Sequence, residues 1–95
     1  MSLKITRVQL NGYPTADQYE ALHSRMEYAV FGRSILSSRG IRYHLPHGEY
    51  VSEHSMSTEE VCSLAHRTAD SAYPGKVSVL TTEGNNVNWN GLDPA

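Results

Sequence analysis

The chain has 95 residues, of which 39% are hydrophobic and 19% are charged, a composition typical of one small folded domain and not of a disordered chain. The net charge of −2 argues against a strong electrostatic grip on nucleic acid, and the single cysteine, Cys62, excludes an internal disulfide and a cysteine-rich zinc site. Because no apolar stretch approaches the ~20 residues of a membrane helix and the first residues lack the apolar core of a signal peptide, we expect a cytoplasmic protein without membrane contact.

The first predicted element is a strand from Leu3 to Leu10, which is closed by turn-forming residues. An amphipathic helix follows, with Thr15 as its N-cap and Gln18 in the capping-box position. Apolar residues recur at three- and four-residue spacing from Tyr19 to Val30, which predicts one buried stripe. Gly32 is expected to end this helix.

A β-hairpin from Ile41 to Glu53 is predicted next, because apolar and polar residues alternate on both sides of a turn at Gly48. A two-residue loop at this turn sets Arg42 opposite Glu53 on the neighbouring strand. Such an opposite-charge pair contributes roughly 0.2–1 kcal/mol to a sheet. The charge pairing and the alternation of apolar residues therefore favour the same register.

A second capping box, Ser57-Thr58-Glu59-Glu60, predicts the start of another helix, and Tyr73-Pro74-Gly75 ends it. Residues 76–82 are expected to form a strand. The remaining residues, 84–95, are interpreted as a C-terminal extension. This extension is either a short fifth strand that folds back or a segment in which Trp89 docks on a partner.

The element order β-α-β-β-α-β predicts an α+β, ferredoxin-like domain in residues 1–83, followed by the extension in residues 84–95. Two helices are expected to cover one face of a four-stranded antiparallel sheet of order 4-1-3-2. The opposite face is expected to be open. The side chains predicted on this open face are Arg7, Gln9, Arg42, His44, Val51 and Glu53. Because none of them is aromatic, direct base stacking on the sheet is not expected.

The five histidines are interpreted mainly as structural or solvated side chains. His44, His47 and His54 lie on or near the predicted hairpin, but their spacing matches no metal-binding motif. His23 and His66 are each expected to be partly exposed on a helix. No metal site and no cofactor are therefore predicted.

A family resemblance rests on chain length, element order and a short pattern in the first half of the chain. The Tyr13-Pro14 turn is followed by a helix that contains Arg25, Met26 and Tyr28, and then by an isoleucine-containing strand. This arrangement resembles the small GhoS-type antitoxins, the RNA-cleaving partners of type V toxin–antitoxin systems, which share the ferredoxin-like fold of Cas2 proteins. The resemblance covers most of the chain, from about Arg7 to Thr82.

The resemblance implies a set of site residues. A basic residue on the first helix is important in that family, and Arg25 is its nearest counterpart here. Cas2-like nucleases hold a metal with an aspartate at the end of the first strand, where this chain has Asn11, a weaker ligand. The implied scheme is therefore metal-independent: a histidine, His44 or alternatively His54, activates a ribose 2′-hydroxyl while an arginine stabilises charge at phosphorus. The predicted catalytic residues are Arg25 and His44, and the predicted RNA-binding residues are Arg7, Arg25 and Arg42.

Two functions from different classes follow. The first is a small protein that binds single-stranded RNA and acts as a sequence-selective endoribonuclease, an antitoxin that destroys a toxin transcript. Six basic residues against three acidic ones in residues 1–45 support it. The second is a non-enzymatic protein-interaction module, such as a phage or bacterial inhibitor or a regulatory homodimer, that uses the open sheet face or the Trp89 extension.

Overall fold

The computed structural model describes residues 3–95 and has an α+β architecture. The elements in these residues are β1 (Lys4–Leu10), α1 (Ala16–Tyr28), β2 (Ser34–Leu36), β3 (Arg42–His44), β4 (Glu49–Ser52), α2 (Thr58–Ala72) and β5 (Val77–Glu83). They form a three-stranded antiparallel sheet of order β4-β1-β5 and a two-stranded antiparallel sheet of β2 and β3. Neither helix of this described region is long and apolar enough to cross a membrane.

Both helices begin at the capping boxes that the sequence predicts. At α1, the Thr15 hydroxyl accepts a hydrogen bond from the Gln18 backbone N–H at 3.2 Å, and the Gln18 side chain accepts one from the Thr15 N–H at 2.7 Å. Ser57 and Glu60 make the same reciprocal pair at α2, at 3.1 and 3.0 Å. Because each box satisfies two backbone donors locally, these starts are fixed by four-residue motifs.

The core lies between the helices and one face of β1. Thr6, Val8 and Leu10 are buried, whereas the alternating residues Arg7 and Gln9 are exposed on the opposite face. The other buried members of the main apolar cluster are Leu22, Met26, Phe31, Tyr50, Val61, Ala65 and Ala69. The helix stripes and the alternation along β1 therefore bury one common interior.

The predicted hairpin from Ile41 to Glu53 is wrong. β3 pairs with β2, so that Arg42 lies opposite Leu36, and β4 pairs with β1. A tight turn before β3 explains the difference: the Gly40 N–H donates to the Ser37 carbonyl at 3.0 Å, and Gly40 has a φ of +82°. This turn folds β3 back on β2, so that these two strands pair with each other, and β4 pairs with β1 instead.

The predicted four-stranded sheet of order 4-1-3-2 is not formed as one sheet. The chain before β2 meets β4 at an isolated bridge, in which Gly32 and Val51 exchange backbone hydrogen bonds of 2.7 and 2.8 Å. Arg42 and His44 consequently lie on the two-stranded sheet, whereas Arg7 lies on the three-stranded sheet. The residues predicted to share one open face are thus divided between two sheets.

The C-terminal extension folds back on β3. The His44 backbone N–H donates to the Asp93 carbonyl at 2.9 Å, and the ring of Trp89 lies 5.6 Å from the ring of Tyr43. The extension therefore folds back on its own chain, as one of the two interpretations expects, but among the described residues it forms a single bridge, Tyr43–Pro94, and no fifth strand.

Helix α1 ends before the predicted stop at Gly32, and the residue that ends it is unusual. Val30 has a φ of +68°, and its N–H donates to the Glu27 carbonyl at 2.9 Å. The Phe31 N–H donates to the Met26 carbonyl at 2.9 Å, which completes a Schellman motif. Glycine usually occupies the left-handed position of this motif, so a β-branched valine is strained there.

Replacing Val30 with glycine is expected to raise the free energy of unfolding by about 1 kcal/mol. Relief of the left-handed strain contributes roughly 1–2 kcal/mol, and the larger entropy of glycine in the unfolded chain removes roughly 0.5–1 kcal/mol. Little packing is lost because the Val30 side chain is 72% exposed. Urea denaturation measures the change. The control is Ala29→Gly, which should destabilise because Ala29 has a φ of −86°; a Val30→Gly protein that is no more stable than the wild type would contradict the argument.

Candidate functional site

Four ring side chains from separate parts of the chain form a group that we call the histidine–tyrosine cluster: Tyr19, His23, His47 and Tyr50. Tyr19 and His23 are one helical turn apart on α1 and so lie on the same face of the helix. His47 lies in the turn before β4, and Tyr50 lies on β4. The packing of α1 beside β4 brings these segments together.

The buried half of the cluster is a hydrogen-bonded pair. His23 Nδ1 and the Tyr50 hydroxyl are 2.6 Å apart, Tyr50 is fully buried and His23 is 5% exposed. Each side chain satisfies a polar atom of the other, which avoids the cost of about 1–3 kcal/mol for an unpaired buried group. The expectation that His23 is a partly exposed helical residue is therefore wrong.

The exposed half of the cluster centres on His47. Its ring lies 4.4 Å from the ring of Tyr19, at an interplanar angle of 57°, and 5.6 Å from the ring of His23 in an edge-on arrangement. The next residue, Gly48, has a φ of +85°, and its carbonyl accepts a hydrogen bond from the Val8 N–H at 2.8 Å. An accessible imidazole is thus held against Tyr19 by a turn that is anchored to β1.

Burial favours the neutral forms of both members of the pair, and the neighbouring charges act in mixed directions. Burial is the main cause that lowers the pKa of His23 below its ordinary value of 6.5, and Arg33, which immediately precedes β2, and His47 lower it further. Glu20 acts in the opposite direction. Burial raises the pKa of Tyr50 from 10.0 to about 12, and Arg33 opposes this rise. The guanidinium of Arg33 is therefore close enough to act electrostatically on both members of the pair.

The free energy of unfolding is expected to decrease as the pH falls below about 6.5. The folded-state pKa of His23 is lowered, so its neutral form stabilises the fold fully above 6.5, and this contribution is lost as the pH falls toward the folded-state pKa. Urea denaturation from about pH 7.5 to about pH 5 should show a flatter profile for His23→Gln than for the wild type. The exposed His66→Gln variant is the control, and equal slopes for His23→Gln and the wild type would refute the assignment.

The exposed ring of His47 and the exposed guanidinium of Arg33 are suited to proton transfer beside a bound phosphate group. Histidine exchanges protons near neutral pH, and an exposed ring is accessible to a substrate hydroxyl. Arg33 is also exposed, and a guanidinium can bind and neutralise a phosphate group. Among residues 3–95, no three histidine, cysteine, aspartate or glutamate side chains are grouped so that they could hold a metal ion.

Arg25, the residue implied by the family resemblance, lies apart from this cluster. It is exposed in the last turn of α1, and its Nη1 donates to the Ser71 carbonyl near the end of α2 at 2.9 Å. Arg25 is two residues from His23 on the helix, which turns the two side chains roughly 200° apart. The contact of Arg25 links the C-terminal ends of the two helices.

The remaining predicted site residues are also exposed but lie elsewhere. Arg42 and His44 are on β3, where Arg42 Nη1 donates to the Ser34 hydroxyl at 3.3 Å. Arg7 projects from β1 on the face of the three-stranded sheet away from the helices. The structure therefore does not bring Arg7, Arg25 and Arg42 into one surface, and their roles in RNA binding stay predictions.

Two other residues from the sequence argument have structural contacts. Asn11 Nδ2 donates to the Ser78 hydroxyl at 2.9 Å, so the side chain at the end of β1 ties two strands together. His54 Nε2 lies 3.0 Å from the Ala29 carbonyl, and its Nδ1 is buried without a hydrogen-bond partner. Neither ring nitrogen of His54 is as accessible as the ring of His47.

A separate groove of about 710 Å³ opens beside β2 and β4. The exposed apolar side chains Val30 and Leu36 line it, together with Arg42 and Glu53. His54 also lines the groove, but its Nδ1 is buried and its Nε2 lies 3.0 Å from the Ala29 carbonyl. The groove is a second concave surface, and its apolar residues suit contact with a macromolecule more than proton transfer.

Comparison with known proteins gives no identification. No family model matches the sequence, and no curated protein matches it significantly.

Proposed function

We propose that the protein binds single-stranded RNA and cleaves it as a metal-independent endoribonuclease that acts on a toxin transcript, in the manner of the GhoS-type antitoxins that it resembles. One observation carries the proposal: an exposed imidazole, His47, is held against Tyr19 beside the buried His23–Tyr50 pair. This reaction requires a proton acceptor and a positive charge, and we assign the second role to the exposed Arg33, whose charge acts on the buried pair.

In the proposed reaction, His47 removes the proton from a ribose 2′-hydroxyl. The 2′-oxygen attacks the adjacent phosphorus, the bond from phosphorus to the 5′-oxygen breaks, and this oxygen takes a proton from the imidazolium or from water. The products are a 2′,3′-cyclic phosphate and a 5′-hydroxyl. Arg33 stabilises the negative charge at phosphorus, and the neutral His23–Tyr50 pair keeps the neighbouring rings in place.

The strand order supports a ferredoxin-like origin for the fold. In the predicted order 4-1-3-2, which counts four strands, the observed β5, β1 and β4 take the places of strands 4, 1 and 3. The Gly32–Val51 bridge lies where strand 2 would join the edge of β4. In this interpretation, β2 and β3 form a hairpin that replaces a single fourth strand. Cas2-like proteins have the ferredoxin-like fold, so this interpretation is compatible with the proposed activity.

The proposal is tested by incubating the protein with single-stranded RNAs of varied sequence in the presence of a chelator. Cleavage at selected sites, with binding that weakens as salt increases, is the expected result. A comparison of Arg25→Ala with Arg33→Ala then separates the two arginines. Arg33→Ala should reduce cleavage and leave stability unchanged, whereas Arg25→Ala should also loosen the contact between the helices. Intact RNA under all conditions would reject the proposal.

The second candidate function is a protein-interaction module, and the groove beside β2 favours it. Val30 is 72% exposed and Leu36 is 54% exposed, and both line the groove. An exposed apolar surface of this kind is typical of contact with another protein. RNA that remains uncut and unbound would leave this function as the better account.

A further inference from the structure

The strand β5 has an unusual free edge. It is seven residues long and lies at the end of the sheet order β4-β1-β5. Natural edge strands are usually short or carry proline, bulges or charges that prevent pairing with another chain. Within Val77–Glu83 there is no proline, and Glu83 at the end of the strand is the only charged residue. The edge is therefore poorly protected against the addition of another strand.

The pairing of β5 with β1 determines which backbone groups face this edge. The Asn11 N–H donates to the Lys76 carbonyl at 2.8 Å, and the Gly84 N–H donates to the Leu3 carbonyl at 2.7 Å. Because hydrogen-bonded pairs alternate along an antiparallel ladder, the even-numbered residues of β5 bond to β1. The N–H and C=O groups of the four odd-numbered residues consequently point outward. These residues are Val77, Val79, Thr81 and Glu83.

Among the described residues, these outward N–H and C=O groups have almost no hydrogen-bond partners. The nearest side-chain contact is from Cys62 Sγ, which lies 4.0 Å from the Val79 carbonyl, a long and weak hydrogen bond. The centre of the strand also carries Leu80, which is 62% exposed on the face away from the helices. A row of unpaired backbone groups next to an exposed leucine is a template for a further strand.

We propose that two copies of this chain pair through β5 in antiparallel orientation, which joins their sheets across a two-fold axis. The axis passes through Leu80, so that Leu80 faces its counterpart, Val79 faces Thr81 and Val77 faces Glu83. This register pairs all seven residues of both strands. It also sets the outward odd-numbered residues opposite one another, as hydrogen bonding requires. The interface is independent of the histidine–tyrosine cluster and of the proposed RNA cleavage.

The charges at the ends of β5 favour a second copy in this orientation. Lys76 precedes the strand and Glu83 ends it. Antiparallel pairing therefore sets the basic end of each strand at the acidic end of the other, whereas parallel pairing would align like ends. The two side chains lie on opposite faces of the joined sheet, so the effect is one of strand ends and not of an ion pair. No like charges stand directly opposite each other in the proposed register. The leucines on the axis meet as a non-hydrogen-bonded pair, in which side chains are closest.

The oligomeric state of the full chain tests the proposal. Sedimentation equilibrium over a series of concentrations should show the wild type with twice the monomer mass at the higher concentrations. Leu80→Lys should raise the dissociation constant at least tenfold, because it places two positive charges opposite each other. Leu36→Lys is the matched control, since Leu36 is similarly exposed but lies on β2, and it should leave the dimer intact. A monomeric wild type, or a dimer that Leu80→Lys does not weaken, would overturn the proposal.

Cross-linking tests the register itself. In a Cys62→Ser background, Leu80→Cys should form an intermolecular disulfide on oxidation, because the Cα atoms of a non-hydrogen-bonded pair lie about 4.5 Å apart, within the range for disulfides. Thr82→Cys is the control, because its counterpart in the proposed register lies about 13 Å away along the strand. Cross-linking of Thr82→Cys but not of Leu80→Cys would show a different register and refute the interface as described.

Discussion

Replacing His47 with alanine is expected to reduce RNA cleavage by about 100-fold or more while leaving the fold intact. General acid–base catalysis by a positioned side chain contributes about 10²–10⁴-fold, and His47 is the accessible imidazole of the cluster. Its side chain is exposed and contacts the ring of Tyr19, so its removal costs little core packing. The rate is measured by gel analysis of a labelled single-stranded RNA, and the fold by circular dichroism.

The matched control for this variant is His66→Ala. His66 is also an exposed histidine, but it lies on α2, and it should be replaceable without loss of activity. RNA binding by His47→Ala should persist, because the proposed phosphate contact is made by Arg33. Full activity in His47→Ala, or an equal loss in His66→Ala, would contradict the assignment of the base.

Replacing Gly48 with alanine is expected to lower the free energy of unfolding by on the order of 3 kcal/mol. A Cβ at this position would lie 2.8 Å from the Val8 carbonyl oxygen, so the turn or β1 must shift. The φ of +85° adds a cost of roughly 1–2 kcal/mol for any residue with a Cβ. The free energy of unfolding of a small domain is about 5–15 kcal/mol, so the expected loss is a large fraction of the total. Urea denaturation measures this loss.

Gly40→Ala separates the two causes of this loss. Gly40 has a similar φ of +82°, but a Cβ there would meet nothing within 4 Å. Gly40→Ala should therefore lower the free energy of unfolding by about 1–2 kcal/mol, from the backbone conformation alone. Because Gly48 also positions His47, RNA cleavage should fall in Gly48→Ala and not in Gly40→Ala. Equal losses of stability in the two variants would show that the close approach to β1 has no energetic consequence.

The helix starts could be predicted from the sequence because they depend on contacts within four residues. The Thr15–Gln18 and Ser57–Glu60 pairs each satisfy their own backbone donors, and the structure confirms both. Strand pairing is different, since alternation along Arg42–His44 indicates a strand but not its neighbour. The turn that ends at Gly40 selects β2 as that neighbour. The left-handed φ of Val30 is not predictable from the sequence either, because glycine is the residue that usually indicates this conformation.

The histidine–tyrosine cluster cannot be predicted from the sequence for a related reason. The four-residue spacing of Tyr19 and His23 is equally typical of an exposed or a buried helical face. Only the packing of α1 beside β4 places Tyr50 within hydrogen-bond distance of His23. The sequence predicts the turn at Gly48, but the anchoring of this turn to Val8 depends on the pairing of β4 with β1. Contacts between residues distant in sequence therefore create the site.

The chemistry of the cleaved ends shows whether the ribose 2′-hydroxyl is the nucleophile. We expect the protein to cut an all-ribose strand in the presence of a chelator and to leave a 2′,3′-cyclic phosphate. It should fail to cut the same strand when the nucleotide 5′ to the cleavage site lacks its 2′-hydroxyl. Cleavage of that 2′-deoxy substrate, or products that end in a 3′-hydroxyl, would contradict activation of the ribose by His47.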